Sequence, residues 1–194
     1  MKPRPSPQIV ARVPMRLRQE LQCVLITQVQ LARRVRELSR QIERDFAGRD
    51  LVVVSLLTGT VMFLADLIRY LDLPLHLDFI GVSSYGNGTM SRKLVFTKEL
   101  RLDVRGRDVL LVDDILDTGK TLRAVVDKLN KLKPRQIKTC VLLDKPAGRI
   151  ETFQANYAGF VIPDLFVVGY GLDYAERYRN LPFVGVLKPK MYRV

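Results

Sequence analysis

Three carboxylates, Asp113, Asp114 and Asp117, fall within five positions, and Thr118-Gly119-Lys120-Thr121 follows them directly. They stand in VLLVDDILDTGKTL, residues 109–122. Its Gly-Lys-Thr end looks like the tail of a nucleotide-binding P-loop, whose first glycine belongs five positions before the second. That position is Asp114. A carboxylate there repels the phosphate chain the loop would wrap, so an ATPase or GTPase reading fails. The stretch still suits an anion. Backbone N–H groups of residues 117–121, with the hydroxyls of Thr118 and Thr121, can surround one phosphate where a helix opens. Gly119 lets the backbone come close. Adjacent Asp113 and Asp114 suit hydroxyl groups, because an ionised carboxylate only accepts hydrogen bonds. A ribose diol meets that requirement, and Asp117 then lies near the anomeric carbon. Helix N-capping accounts for one aspartate, not for three. The ligand implied is a ribose 5-phosphate.

Elements must position these groups. Leu31, Val35, Leu38, Ile42 and Phe46 recur at three- and four-residue steps, which predicts an amphipathic helix ending at Gly48. LVVVSLL (51–57) is an apolar run too short for a helix and reads as a strand buried on both faces. Thr58-Gly59-Thr60 then turns into a helix over about 61–71. Strands follow at 75–82, 94–96, 108–112 and 137–143, with a glycine-rich loop at 83–93 and a helix at 119–132 that stops before Pro134. This order predicts an α/β fold with a mainly parallel sheet, flanking helices and right-handed crossovers. The phosphate loop falls at the carboxyl end of a parallel strand, where open α/β sheets bind ligands. Residues 159–194 read as a smaller appended lobe.

Composition narrows the class. The chain has 194 residues, 47% of them hydrophobic and 27% charged, which suits one soluble globular domain. No stretch is long and apolar enough to predict a membrane-spanning helix. Residues 1–18 read as a basic, flexible arm; the alternative of a transit peptide is weighed and set below it. Residues 19–194 read as a single domain. Cys23 and Cys140 read as core thiols of a reducing compartment, and the lone His76 as a solvent-facing strand residue. The net charge of +12 points to polyanionic partners. Eleven Lys and Arg but only four Asp and Glu lie in residues 1–49, away from the carboxylate motif, so a solvated basic face is expected there before RNA contact.

VLLVDDILDTGKTL resembles the 5-phosphoribosyl-1-pyrophosphate (PRPP) signature of the type I phosphoribosyltransferases. LLTGT (56–60), DFIGVSSYG (78–86), LLDKPAGR (142–149) and IPDLFVVGYGLDYAERYRNLPFVGVL (162–187) carry the similarity over about residues 24–187. They point to the hypoxanthine/guanine branch. The resemblance implies the type I phosphoribosyltransferase fold, with a small hood lobe built from about 159–194 with N-terminal contributions. It also implies transfer of a phosphoribosyl group from PRPP to a 6-oxopurine, giving a nucleoside 5'-monophosphate and pyrophosphate with Mg²⁺. Asp113 and Asp114 would hold the ribose hydroxyls. Asp117, Thr118, Gly119, Lys120 and Thr121 would bind the 5-phosphate, and Asp117 would also be the general base. Leu57, Thr58 and Gly59 would form a pyrophosphate loop, commonly with a cis bond between its first two residues, and Arg179 would reach pyrophosphate. Lys145 would donate to the 6-oxo group, Phe166 would stack on the purine, the Val167 backbone would read its edge, and Asp173 would reach Mg²⁺. Ser84 and Tyr85 would sit at the hinge side of a closing lid.

Two departures stand out. Many relatives carry Lys where this chain has Thr58, which implies a weaker pull on pyrophosphate. The lid reads TMSRK where relatives often have a Ser-Gly pair. Purine salvage in the cytoplasm, by a homo-oligomer, is the expected function. The alternative is a nucleotide-sensing RNA-binding regulator on the same fold, motivated by the basic first quarter.

Overall fold

The computed structural model describes residues 13–85 and 93–192, with the side chains of residues 84, 85 and 93 outside that description. The chain divides into two compact units. The larger comprises residues 34–164, and the smaller comprises residues 1–33 with 165–194.

The larger unit is built on a six-stranded sheet. Its strands are β2 (Leu51–Leu57), β3 (Leu75–Tyr85), β4 (Lys93–Lys98), β5 (Asp108–Leu116), β6 (Gln136–Asp144) and β7 (Tyr157–Val161), in the order β4-β3-β2-β5-β6-β7. All neighbours are parallel except the β3–β4 hairpin pair. Helix α1 (Gln28–Phe46) precedes the sheet, α2 (Val61–Arg69) follows β2 and α3 (Lys120–Asn130) follows β5. The periodic residues Leu31, Val35, Leu38, Ile42 and Phe46 of α1 are all buried, as the three-to-four spacing predicts. Strands β2 and β5 have neighbours on both sides, so their apolar runs are buried throughout. Leu122, Val125 and Leu129 of α3 close one core cluster over Val52, Val54, Val109, Leu111 and Val141.

The smaller unit holds β1 (Leu21–Ile26), β8 (Val167–Val168) and β9 (Val184–Leu187), a three-stranded antiparallel sheet in the order β1-β9-β8. A core of Leu21, Val168, Tyr178, Leu181, Phe183 and Leu187 fills it.

The α/β class and the parallel order are as the sequence predicts, and several bounds differ. Strand β3 continues to Tyr85 where a loop was expected from residue 83, because Ser83, Ser84 and Tyr85 pair with β4. Residues 86–92 of the expected lid lie outside the described residues, as do residues 1–12 of the expected arm, and residue 93, expected in the loop, opens β4. Residues 15–17 of that arm form a short 3-10 turn, and Leu17 packs on the smaller unit's core. Strand β5 continues through both aspartates to Leu116, because its ladder with β6 persists past Val112. Strand β7 lies on the edge of the large sheet, and the smaller unit resumes at Leu165. Cys140 is buried and Cys23 half-buried, both as free thiols, and His76 is mostly exposed on β3.

Candidate active site

Parallel strands β2, β5 and β6 are neighbours in the sheet; the chain leaves β2 and β5 into one cavity, and Lys145, just after β6, reaches Asp117 in its lining. The cavity is lined by Leu57, Gly59 and Thr60 after β2, and by Asp113 to Gly119 with Thr121 at the end of β5 and the start of α3. This is the placement expected of a ligand site in an open α/β sheet.

The loop after β2 lies directly against the carboxylates. The Leu57–Thr58 peptide bond is cis. A Cβ on Gly59 would overlap the Asp114 carboxylate, so only glycine fits there while that side chain holds its place. The Thr60 hydroxyl, itself buried, donates to Asp113 Oδ1 at 3.3 Å. The Asp114 N–H donates to the same oxygen at 3.0 Å. Burial, with the Asp114 carboxylate beside it, pushes the Asp113 carboxyl well above the ordinary carboxylate range despite these two donors. Asp113 is thus buried while still lining the cavity, and Asp114 is half-buried.

The turn into α3 has the expected form. Gly119 takes φ +85°, a left-handed conformation that favours glycine, and Lys120 begins the helix. Among the predicted phosphate residues, Thr118 and Thr121 both line the cavity, and Lys120 is exposed at the helix start.

Lys145 follows β6 and is 8% exposed. Its ammonium lies 3.1 Å from Asp117 Oδ2 and 2.9 Å from Asp164 Oδ1. Burial alone would weaken this base's hold on its proton, but the two carboxylates outweigh it and raise the Lys145 pKa. Asp117 and Lys145, chosen from separate sequence blocks, are therefore in contact. Gly148 packs so close that a Cβ on it would overlap the Asp117 carboxylate.

Phe166, Val167, Asp173 and Arg179 belong to the smaller unit. Phe166 precedes β8 and is 37% exposed. Its ring stacks on Tyr192 at 4.6 Å between centroids and meets Tyr174 edge-on at 5.6 Å. Val167 is buried in β8, paired with Val186. Asp173 Oδ1 accepts from Arg179 at 3.0 Å, and Asp173 Oδ2 accepts the Glu176 N–H at 3.0 Å. Arg179 also donates to the Gly171 carbonyl at 3.0 Å and to Glu176 at 2.9 Å.

Sequence reasoning missed Thr60, Arg149 and Asp164. Thr60 stands next to the Thr58-Gly59 turn, and Arg149 closes the LLDKPAGR block, so position was the available signal. Their partners are set by the fold and not by spacing.

A profile of the phosphoribosyl transferase domain matches residues 26–175. The chain is 44% identical over 177 residues to the hypoxanthine-guanine phosphoribosyltransferase of Bacillus subtilis (strain 168), covering 91% of this chain and 98% of that protein. It is 49% identical over 174 residues to the bifunctional protein TilS/HprT of Listeria innocua, with 89% of this chain matched. It spans only 27% of the length of that relative. A crystal structure of a hypoxanthine phosphoribosyltransferase from Staphylococcus aureus superposes with a TM-score of 0.89 at 41% identity, covering 94% of this chain and all of the other.

Proposed function

Because the chain belongs to the phosphoribosyltransferase family, on its hypoxanthine/guanine branch, we propose that it transfers the 5-phosphoribosyl group of PRPP to a 6-oxopurine. The products are IMP or GMP and pyrophosphate, a purine salvage reaction. One observation carries this reading. The paired carboxylates, the phosphate turn and the Asp117–Lys145 pair stand around the carboxyl ends of neighbouring parallel strands, where a sugar phosphate with a reacting anomeric carbon needs them.

Each residue then has a task. Asp113 and Asp114 hold the ribose hydroxyls, and Asp117 to Thr121 take the 5-phosphate. Departure of pyrophosphate leaves positive charge on the ribose ring, and nearby carboxylates stabilise it. Asp117 accepts the proton that the five-membered ring of the purine loses as the glycosidic bond forms. Lys145 donates to the 6-oxo oxygen. An ammonium has no acceptor, so a 6-amino group is refused. Phe166 offers an aromatic face to the purine, and the Val167 backbone reads its edge. Leu57, Thr58 and Gly59 receive the leaving pyrophosphate, and family likeness gives Arg179 a pyrophosphate contact as well.

Mg²⁺ is tested by its donor set. No cluster of three or more metal-binding side chains occurs among the described residues. Asp173 offers one carboxylate whose oxygens accept from Arg179 and the Glu176 N–H and keep further lone pairs, which fits a hard cation that uses one or two carboxylates plus substrate phosphate oxygens. When bound, Mg²⁺ neutralises charge on the leaving group. A homo-oligomer, dimer or tetramer, working in the cytoplasm is part of the same reading. No helix among the described residues is long and apolar enough to cross a membrane. The RNA-binding regulator alternative is not supported, since the similar proteins bear enzyme names.

The test is steady-state kcat/KM for hypoxanthine, guanine and xanthine with PRPP and Mg²⁺, with adenine as the control. Turnover of at least one 6-oxopurine and none of adenine is expected. Absence of pyrophosphate release with every base would overturn the proposal.

A further inference from the structure

The phosphate turn is held from behind by the segment that follows β6, in which Arg149, Ile150 and Glu151 have no role in the proposed reaction. Arg149 Nε donates to the Asp117 carbonyl at 2.8 Å, and its Nη2 donates to the Leu116 carbonyl at 3.2 Å. The Ile150 and Glu151 N–H groups both donate to the Thr118 carbonyl at 3.0 Å. The Lys145 N–H also donates to Leu116 O at 2.9 Å. Three successive carbonyls, of residues 116, 117 and 118, are thus drawn to the side of the 145–151 segment.

That fixes the opposite ends of the same peptides. In a planar trans peptide the C=O of one residue and the N–H of the next point in opposite directions. Holding the carbonyls of Leu116, Asp117 and Thr118 on the segment side turns the N–H groups of Asp117, Thr118 and Gly119 the other way. The same three residues line the cavity. Arg149 in turn is anchored by the Asp144 carboxylate at the end of β6 and by the Phe153 carbonyl. Its side chain is 17% exposed and lies 3.3 Å, at Cδ, from where a Cβ on Gly119 would stand. Every guanidinium nitrogen therefore has a protein acceptor, which suits a group that orients backbone and not one that meets ligand.

We infer that Arg149 is a positioning residue for the sugar-phosphate cradle: it aims the N–H groups of residues 117 and 118 by fixing their peptide planes, while the Ile150 and Glu151 N–H groups fix the plane that carries the Gly119 N–H. Preorganised donors of this kind spare the ligand the cost of ordering them. The inference rests on the reading of residues 117–121 as the 5-phosphate site.

Arg149→Met and Arg149→Lys test it in the full chain, with ribose 5-phosphate binding by calorimetry as the primary readout and KM for PRPP and for hypoxanthine beside it. The Met variant should bind ribose 5-phosphate about tenfold or more weakly and show a similar rise in KM for PRPP, by the loss of one to two charge-assisted hydrogen bonds. KM for hypoxanthine should stay within about threefold, and Lys should restore part of the loss. Asp144→Asn keeps the guanidinium but weakens its anchor. A loss of about threefold in ribose 5-phosphate affinity is expected from it, and it decides the matter if the Met variant does not fold. Unchanged ribose 5-phosphate affinity in a folded Met variant, or in Asp144→Asn where Met does not fold, overturns the inference. So does a parallel loss for PRPP and hypoxanthine that follows Tm. Failure of the unaltered protein to bind ribose 5-phosphate would instead sink the phosphate site itself, and the proposed function with it.

Discussion

Asp117 meets the Lys145 ammonium on one of its oxygens, and Asp164 holds the same ammonium from a second direction. This arrangement keeps Lys145 charged, as its proposed 6-oxo contact needs, without committing it wholly to Asp117. On the proposed reading, Asp117→Asn keeps the size and the backbone N–H groups of the turn but cannot accept the purine proton. PRPP affinity should change by less than about threefold while kcat falls by about 10²–10⁴-fold. Single-turnover kinetics with prebound PRPP separates the two quantities, and a kcat within a few-fold of the unaltered protein would rule out the general-base role. Gly59 carries a second prediction. Its missing side chain leaves room for the Asp114 carboxylate, so Gly59→Ala must displace either the loop or the carboxylate. KM for PRPP should rise about tenfold or more, with the purine KM little changed, because the proposed reading puts both displaced groups at the sugar-pyrophosphate end. Initial-rate kinetics with each substrate varied in turn checks this.

At the scale of elements, β3 and the chain after β4 are tied together by one buried carboxylate. Asp78 accepts from the N–H groups of Phe79 at 2.7 Å, Arg101 at 2.6 Å and Leu102 at 2.9 Å, and from Lys98 at 3.1 Å. Burial opposes its ionisation, but these donors win and lower its pKa to about 2. A depressed carboxyl pKa stabilises the fold above the unfolded-state value of ~3.9, and that gain is lost as pH falls through about 2. Asp78→Asn should therefore lower stability at pH 7 by on the order of 1–2 kcal/mol, less than the bare shift implies because Lys98 is partly solvent-screened. The difference should shrink between pH 4 and pH 2, which urea denaturation at a series of pH values measures. The elements also differ in how far the sequence discloses them. Strand β2 is legible to the residue, because a run that is apolar but for Ser55, set between turns, has one explanation when both faces are buried. Strand β5 is legible only to Val112, because carboxylates read as loop until their ladder with β6 is known. Strand β1 escapes local reading, since it exists by pairing with β9 near the other end of the chain. Asp113, Asp114 and Asp117 declare themselves by type and spacing. Lys145 and Phe166 take meaning from family likeness, and Arg149 from the carbonyls that only the folded turn presents to it.

Across the whole molecule, basic residues outnumber acidic ones by twelve, and the proposed phosphoribosyl donor is a polyanion while its purine acceptor is neutral. That asymmetry separates the two substrates by a property unrelated to local contacts. An excess of positive charge raises the local concentration and encounter rate of an anion, and dissolved salt screens the effect with a Debye length of about 10 Å at 0.1 M. Several basic groups are already spent on internal pairs, Arg107 with Asp50, Arg135 with Asp108 and Lys138 with Asp45 among them, so the long-range field is that of the net excess and not of all 32 Lys and Arg. Raising ionic strength from about 20 to about 200 mM with a monovalent salt, at fixed free Mg²⁺, should lower kcat/KM for PRPP by about three- to tenfold. The value for hypoxanthine, measured at saturating PRPP, should hold within about twofold, since a neutral base feels no steering. An equal fall for both substrates would trace the salt effect to the catalytic groups themselves, and no fall for either would mean that the charge excess plays no part in capturing PRPP.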